Sequence, residues 1–146
     1  MIIPDANLLI YAYDTAAPHH AASRAWWEAA LNGSEPVGLP VVVATAYVRL
    51  ATHPTLLAQP VSVGQARAAV AAWQARPLVR LLGTTPLIFA RALDLLERAG
   101  AGGNLTTDAI IAAHAEEQGG TVYSNDHDFA RFASVPWINP LVRPVR

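Results

Sequence analysis

Four aspartates in this 146-residue chain occupy positions where carboxylates could do chemistry. Asp5 follows the first apolar run, and Asp108 opens an apolar helical pattern. Asp126 and Asp128 follow the apolar run at 121–123. Carboxylates that follow short parallel strands meet at the carboxyl edge of an open α/β sheet. The chain has no cysteine, and clustered oxygen ligands suit a hard cation, so this pattern predicts a site for Mg²⁺ or Mn²⁺.

Two of these aspartates also have structural roles open to them. Asp5 precedes an apolar helix and could serve only as its N-cap, although Asn7 would cap that helix equally well. Asp108 falls in the first turn of a predicted helix, where the helix dipole favours an acid. Both structural roles stay open alongside the metal site.

The segment 124–129 gives the stronger signal. Asp126 and Asp128 flank His127 directly after a predicted strand, and their like charges make this a poor sequence for a plain turn. The structural alternative is an Asx-turn followed by a short capped helix. In that arrangement Asp128 caps the helix while Asp126 faces the site.

Short apolar strands alternate with amphipathic helices along the chain, which predicts a three-layer α/β/α fold with a mostly parallel central sheet. The length suits one domain over residues 1–146. We expect strands at 1–4, 37–39, 78–82, 121–124 and 137–138. We expect helices at 7–13, 21–31, 40–52, 63–74 and 86–99, and a last helix that is capped by Thr106 or Thr107 and runs to about residue 118.

Composition excludes several classes of protein. Hydrophobic residues make up 53% of the chain, so it is not disordered, and no apolar run reaches the ~18 residues of a membrane span. The first residues lack the basic start of a secretory signal, so we expect a cytoplasmic location. The absence of cysteine excludes disulfide frameworks and thiolate zinc sites. The net charge is −1, but once the four aspartates are set aside the remaining surface is mildly basic, which permits a phosphodiester substrate.

The motifs occur in a familiar order. Asp5-Ala6-Asn7 comes first, then Thr107-Asp108-Ala109 on a helix, then the acidic segment 124–129 after a strand. This order resembles that of PIN-domain ribonucleases, specifically the VapC-type toxins of bacterial toxin–antitoxin pairs. The resemblance covers the whole chain and includes the stretches 47–54, 102–105 and 137–140.

The resemblance implies an endoribonuclease that depends on Mg²⁺ or Mn²⁺. It carries the metal-binding and catalytic carboxylates onto Asp5, Asp108 and Asp126. Four further residues could assist them: Asp128 close by, Thr107 and Ser124 as hydroxyls that orient ligands or phosphate, and Arg49 as a phosphate contact. Ordinary capping, turn and surface roles stay open for these last three.

The resemblance also implies partners. These are an RNA substrate, a small VapB-like antitoxin that holds the toxin inactive, and a second copy of the chain in a homodimer. The apolar helices after Pro40 and at 63–73 are the surfaces that we expect to meet a partner.

One position departs from the family pattern. The family usually carries a glutamate near the start of the segment 47–49, and Ala46 stands there instead. The sequence therefore predicts a reduced metal site, in which water or Asp128 fills the gap, and leaves one or two metal ions open.

Two rival functions follow from the same residues. An aspartyl phosphatase would need a second acid where Asn7 stands, and usually a lysine, of which the chain has none. The other rival is a PIN fold that has lost activity and only binds RNA or a protein partner.

Overall fold

The computed structural model describes residues 1–142, which contain one five-stranded sheet. Its strand order is β3-β2-β1-β4-β5, and all four pairings are parallel, which confirms the predicted fold class. The strands are β1 (Ile2–Pro4), β2 (Val37–Pro40), β3 (Val79–Leu82), β4 (Thr121–Tyr123) and β5 (Trp137–Ile138).

Six α-helices connect the strands and confirm the predicted alternation. They are α1 (Ala6–Tyr13), α2 (His20–Asn32), α3 (Val41–Ala51), α4 (Val63–Gln74), α5 (Pro86–Ala99) and α6 (Leu105–Gln118), with a short 3₁₀ helix at His127–Arg131. Local signals fix their ends. Ser62 and Gln65 form a capping box at the start of α4, and Gly100 ends α5 in the left-handed conformation. None of the helices within residues 1–142 is long and apolar enough to cross a membrane.

The strand order reverses at the centre of the sheet. The chain builds outward from β1 through β2 to β3, then returns to place β4 on the other side of β1. Because parallel crossovers are right-handed, the return puts α5 and α6 on the opposite face from α1–α4. The junction of β1 and β4 is therefore the topological switch point, where open α/β sheets bind their ligands.

Two predicted helix caps were wrong. Helix α6 begins at Leu105, with Asn104 at its N-cap, so that Thr106 and Thr107 lie inside its first turn. The preceding glycine turn replaces a side-chain cap, because the carbonyl oxygen of Gly102 accepts from the backbone N–H of Leu105 at 3.2 Å.

The second wrong cap concerns the 3₁₀ helix. Asp126, not Asp128, caps it, and its Oδ1 accepts from the backbone N–H of Asp128 at 2.9 Å. A side-chain oxygen reaches an N–H two residues further on, which is the geometry of an Asx-turn. Asp126 therefore combines the capping role with its place beside the site.

An aromatic cluster holds α1–α4 together. The buried rings of Trp27, Tyr47 and Trp73 pack edge to face, with centroids 4.7 Å apart for Tyr47 and Trp73 and 5.5 Å apart for Trp27 and Trp73. The indole Nε1 of Trp73 donates to the hydroxyl oxygen of Tyr13 at 2.7 Å. These contacts stabilise the helices that lead into and out of the carboxyl edge of the sheet.

We expect Gly120→Ala to destabilise the protein by about 1–3 kcal/mol, because the site cannot accept a methyl group without backbone movement. A Cβ at Gly120 would lie 2.8 Å from the carbonyl oxygen of Met1, which accepts a hydrogen bond from the N–H of Thr121. Gly102→Ala is the matched control, since a Cβ there meets nothing within 4 Å. Urea unfolding of both variants tests this, and equal stabilities would contradict it.

Candidate active site

The register between β1 and β4 brings two candidate site residues side by side. Pro4 pairs with Tyr123, so the next residues along each strand, Asp5 and Ser124, leave the sheet together. The backbone N–H of Asp5 donates to the carbonyl oxygen of Tyr123 at 2.9 Å and extends the pairing by one residue. Side chains that are separated by 117 to 119 positions in the sequence therefore meet at the switch point.

The hydroxyl of Ser124 organises this meeting. It donates to Oδ2 of Asp5 at 2.6 Å, and it accepts from the side-chain amide of Asn7 at 3.1 Å and from the backbone N–H of Asp126 at 2.9 Å. One donor and two acceptor positions are the full capacity of a hydroxyl group. Ser124 is itself fully buried, so its rotamer is fixed and it ties three segments to one point.

Asp5 is a buried carboxylate with both oxygens engaged. Only 9% of its surface is exposed, its Oδ1 accepts from the N–H of Ala6 at 2.7 Å, and its Oδ2 accepts from Ser124. Burial raises the pKa of Asp5 above its ordinary value, and the charge of Asp126 adds to the rise. The two hydrogen bonds act in the opposite direction. Asp5 is the N-cap of α1, so the structural role and the place in the site coexist.

Asp108 shows that the four aspartates share one electrostatic environment. It lies half-buried in the first turn of α6. Burial, which is the largest cause, acts together with the charges of Asp5, Asp126 and Asp128 to raise its pKa to about 7. Among the described residues, every charged group that shifts this pKa is another carboxylate, so within residues 1–142 the cluster carries repulsion that no cation offsets.

The donor set fits a hard divalent cation by its chemistry. All four side chains offer carboxylate oxygens, the ligands that Mg²⁺ and Mn²⁺ prefer. Within the described residues, no three acidic or histidine side chains converge closely enough to hold an ion. Carboxylates that repel one another spread apart, so a cation would have to draw them together. Helix α3 contributes no acid, and Ala46 stands half-buried on it.

Three of the assisting residues lie outside the hydrogen-bonded centre. Thr107 is exposed on the first turn of α6. Asp128 is exposed and contacts Asp126 through its backbone. Arg49 lies exposed on α3, along a groove between α3 and α4. Only Ser124, of the four assisting residues predicted, contacts a predicted metal ligand through its side chain.

The sequence reading missed a chain of amides that braces the acidic segment. Asn139 donates from Nδ2 to Oδ1 of Asn125 at 3.0 Å, and the backbone N–H of Asn125 donates to Oδ1 of Asn7 at 3.4 Å. The indole Nε1 of Trp137 donates to the carbonyl oxygen of Ser124 at 3.2 Å. The sequence did contain a signal for Asn139: this residue directly follows strand β5, just as Asp5 directly follows strand β1.

The sequence matches the model of the PIN domain family over residues 2–135. Ribonuclease VapC33 of Mycobacterium tuberculosis is 41% identical over 141 residues, which cover 97% of this chain and 99% of the relative. Ribonuclease VapC37 of the same organism is 40% identical over 144 residues, which cover 96% of this chain and 97% of the relative. The chain therefore aligns with both relatives over nearly their whole length.

Solved structures share the fold. VapC20 of Mycobacterium tuberculosis, described as a toxin that cleaves the sarcin–ricin loop, superposes with a TM-score of 0.69 at 19% identity and covers 89% of this chain and 93% of its own. VapBC2 of Rickettsia felis, bound to promoter DNA, gives a TM-score of 0.67 at 18% identity and covers 95% of this chain and 98% of its own. At such identities the likeness shows the fold alone.

In the metal-free protein, ionisation of Asp108 should lower stability as the pH rises. Its pKa is about 7 in the fold against an ordinary value of 3.8, so the folded state holds this proton more tightly than the unfolded chain. The stabilising contribution is complete below about pH 4 and is lost as the pH rises through about 7. Asp108→Asn removes the ionisable group. The free energy of unfolding of this variant, relative to that of the wild type, should therefore increase between about pH 4 and about pH 7.

Urea midpoints of the EDTA-treated proteins between these pH values measure that difference. Asp94→Asn, the same substitution at an exposed position on α5, is the control and should follow the wild type. If the difference in urea midpoint between Asp108→Asn and the wild type stayed constant with pH, the claim that the four aspartates share one electrostatic environment would be contradicted.

Proposed function

The chain belongs to the PIN-domain family, and from this premise we propose that it is a metal-dependent endoribonuclease that acts as the toxin of a toxin–antitoxin pair. The observation that carries the proposal is that burial and the charges of three other aspartates near the switch point together raise the pKa of Asp108 to about 7. The curated relatives that cover nearly the whole chain are ribonucleases of the VapC type.

The proposed metal ligands are Asp5, Asp108 and Asp126. Asp128, whose charge also raises the pKa of Asp108, would support them or replace one of them. When bound, Mg²⁺ or Mn²⁺ would acidify a water molecule and offset negative charge on the phosphoryl oxygens of RNA. Without a cation, the same carboxylates would repel an RNA phosphate. The cation is therefore needed for substrate binding as well as for chemistry.

The chain itself supplies the positioning. Asp5 is held rigidly because Ala6 and Ser124 each donate to one of its oxygens, and each oxygen keeps a free lone pair for a cation. Asp126 has one oxygen engaged by the N–H of Asp128, which fixes its orientation while the other stays available. Fixed ligands of this kind lower the reorganisation that metal binding and catalysis would otherwise require.

The proposed partners are an RNA substrate, a VapB-like antitoxin and a second copy of the chain. The solved structures that share this fold include toxin–antitoxin complexes, such as VapBC-1 of nontypeable Haemophilus influenzae. This likeness supports the proposal of an antitoxin partner. Phe89 and Leu93, four residues apart on α5, leave apolar side chains facing outward, which supports a homodimer. We propose a cytoplasmic location for this activity, where an RNA substrate would be available.

A second candidate function is binding without catalysis. It is favoured by Ala46, since α3 contains no acid to complete a larger ligand set. In that case the protein would bind RNA or the antitoxin without hydrolysing a phosphodiester bond.

With Mg²⁺ or Mn²⁺, we expect the purified protein to cleave a mixed RNA pool, and Asp108→Asn to lose at least about 100-fold in rate. A loss of this order is expected when one group that supports transition-state charge is removed. Gel analysis of end-labelled RNA measures the rate, and EDTA should abolish cleavage by the wild type.

Asp94→Asn is again the matched control and should cleave at the wild-type rate. Wild-type cleavage by Asp108→Asn would contradict the site assignment. Folded wild-type protein that binds RNA but cleaves with neither metal would favour the binding function.

A further inference from the structure

Four hydrogen bonds connect Asn139, directly after the edge strand β5, to the carboxylate of Asp5. Nδ2 of Asn139 donates to Oδ1 of Asn125 at 3.0 Å, and the backbone N–H of Asn125 donates to Oδ1 of Asn7 at 3.4 Å. Nδ2 of Asn7 donates to the hydroxyl oxygen of Ser124 at 3.1 Å, and that hydroxyl donates to Oδ2 of Asp5 at 2.6 Å. These bonds form the amide chain, which runs from the edge of the sheet past β4 to the start of α1.

A backbone group fixes the direction of the amide chain at its outer end. The N–H of Leu141 can only donate, and it donates to Oδ1 of Asn139 at 3.0 Å. Because a side-chain amide carries its acceptor oxygen and its donor nitrogen on different sides, Nδ2 of Asn139 has to face Asn125. The amide of Asn139 cannot turn over without losing the bond from Leu141.

A second backbone donor fixes the amide of Asn7. The N–H of Asn125 faces Oδ1 of Asn7, so Nδ2 of Asn7 faces the hydroxyl of Ser124. The N–H of Asp126 occupies the other acceptor position of that hydroxyl. With both acceptor positions filled, the single proton of Ser124 is left for Asp5. The hydrogen bond on Oδ2 of Asp5 therefore follows from the orientation of the amides.

Burial makes the inner end of the amide chain sensitive to the outer end. Ser124 is fully buried, and the three asparagines are half-buried. Away from water a hydrogen bond is stronger, and a polar group without its partner is more costly. Loss of the contact from Asn139 leaves Asn125 free to reorient, and its backbone N–H holds the amide of Asn7.

We propose that Asn139 is a positioning residue of the metal site, which fixes, through Asn7 and Ser124, the direction in which Asp5 presents its oxygens to a divalent cation. The cation rests on the proposed function, whereas the orientation of Asp5 does not. Within residues 1–142, Asn139 makes no hydrogen bond to any of the four aspartates, so it acts through other residues. Groups that orient a metal ligand typically change metal affinity by about 10–100-fold when they are removed.

A purely structural role is the alternative for Asn139. Its two hydrogen bonds join the segment after β5 to the segment after β4, and their loss would lower the free energy of unfolding even if the site were unchanged. Thermal stability therefore does not separate the two roles. The affinity of the folded protein for a metal ion does, because a residue that only supports the fold leaves that affinity unchanged.

Isothermal titration calorimetry with Mn²⁺ on the folded full-length protein tests the proposal. We expect Asn139→Ala to raise the Kd for Mn²⁺ about tenfold, the lower end of the range for groups that orient metal ligands. Asn125→Ala removes the same hydrogen bond from its acceptor side and should raise the Kd by a similar factor. The double variant should bind no more weakly than either single variant, because both substitutions remove one shared interaction.

Asn32→Ala is the matched control. Asn32 is exposed at the end of α2, where it donates to the carbonyl oxygen of Glu28, so this variant should bind Mn²⁺ with the wild-type Kd. An unchanged Kd in Asn139→Ala would overturn the proposal. Factors that multiply in the double variant would overturn it as well, since the two residues would then act separately.

Nuclear magnetic resonance of the metal-free proteins measures the orientation without relying on the cation. The backbone N–H of Ala6 and the side-chain amide of Asn7 both donate hydrogen bonds inside the site. Their signals should shift in Asn139→Ala and keep their wild-type positions in Asn32→Ala. If the wild type bound no Mn²⁺, the proposed function would fail, and these signals would still decide the role of Asn139. Signals that do not move in Asn139→Ala would rule that role out.

Discussion

The parallel pairing of β1 with β4 is the constraint on which the site depends. These strands are far apart in sequence, yet their register sets Asp5 beside Ser124 and lets one hydroxyl bind three segments. A shift of one residue would turn each side chain to the other face of the sheet and would separate this pair. The glycine at 120 permits the close approach of β4 to Met1, so packing at the opposite edge of the sheet protects the register.

Repulsion among the carboxylates has a structural consequence. Burial and neighbouring charges both favour the protonated form of Asp108, so the metal-free fold carries a strain that grows as its carboxyls ionise. The hydrogen bonds to Asp5 and the amide chain through Asn125 hold the acidic segment in place against that strain. In the proposed function, this loss of stability is the cost of a site that would bind a cation.

The sequence was a good guide to the elements and to which acids lie near one another, and a weaker guide to the contacts that hold them in place. Alternating apolar strands and helices predicted the sheet, because each type of element has its own period of apolar residues. Helix α4 was predicted at its observed bounds from its amphipathic pattern, and the structure shows a capping box of Ser62 and Gln65 at its start. The caps at Asn104 and Asp126 were missed, because several polar residues in a row can each cap a helix and tertiary contacts choose among them. The amide chain from Asn139 was missed for the same reason, since it joins segments that only the fold brings together.

The most direct test of this account is the melting temperature of the protein, titrated with Mn²⁺ or Mg²⁺ at a pH above that at which Asp108 ionises. A cation that binds only the folded state and relieves the repulsion should raise the melting temperature in a saturable way. At a concentration of 100 times Kd the stabilisation would be about 2.7 kcal/mol. The increase should be smaller in Asp5→Asn, which lacks the charge and keeps one acceptor oxygen for the two donors, Ala6 and Ser124. A melting temperature that neither metal changes, in protein shown to be folded, would contradict the claim that these carboxylates form a cation site.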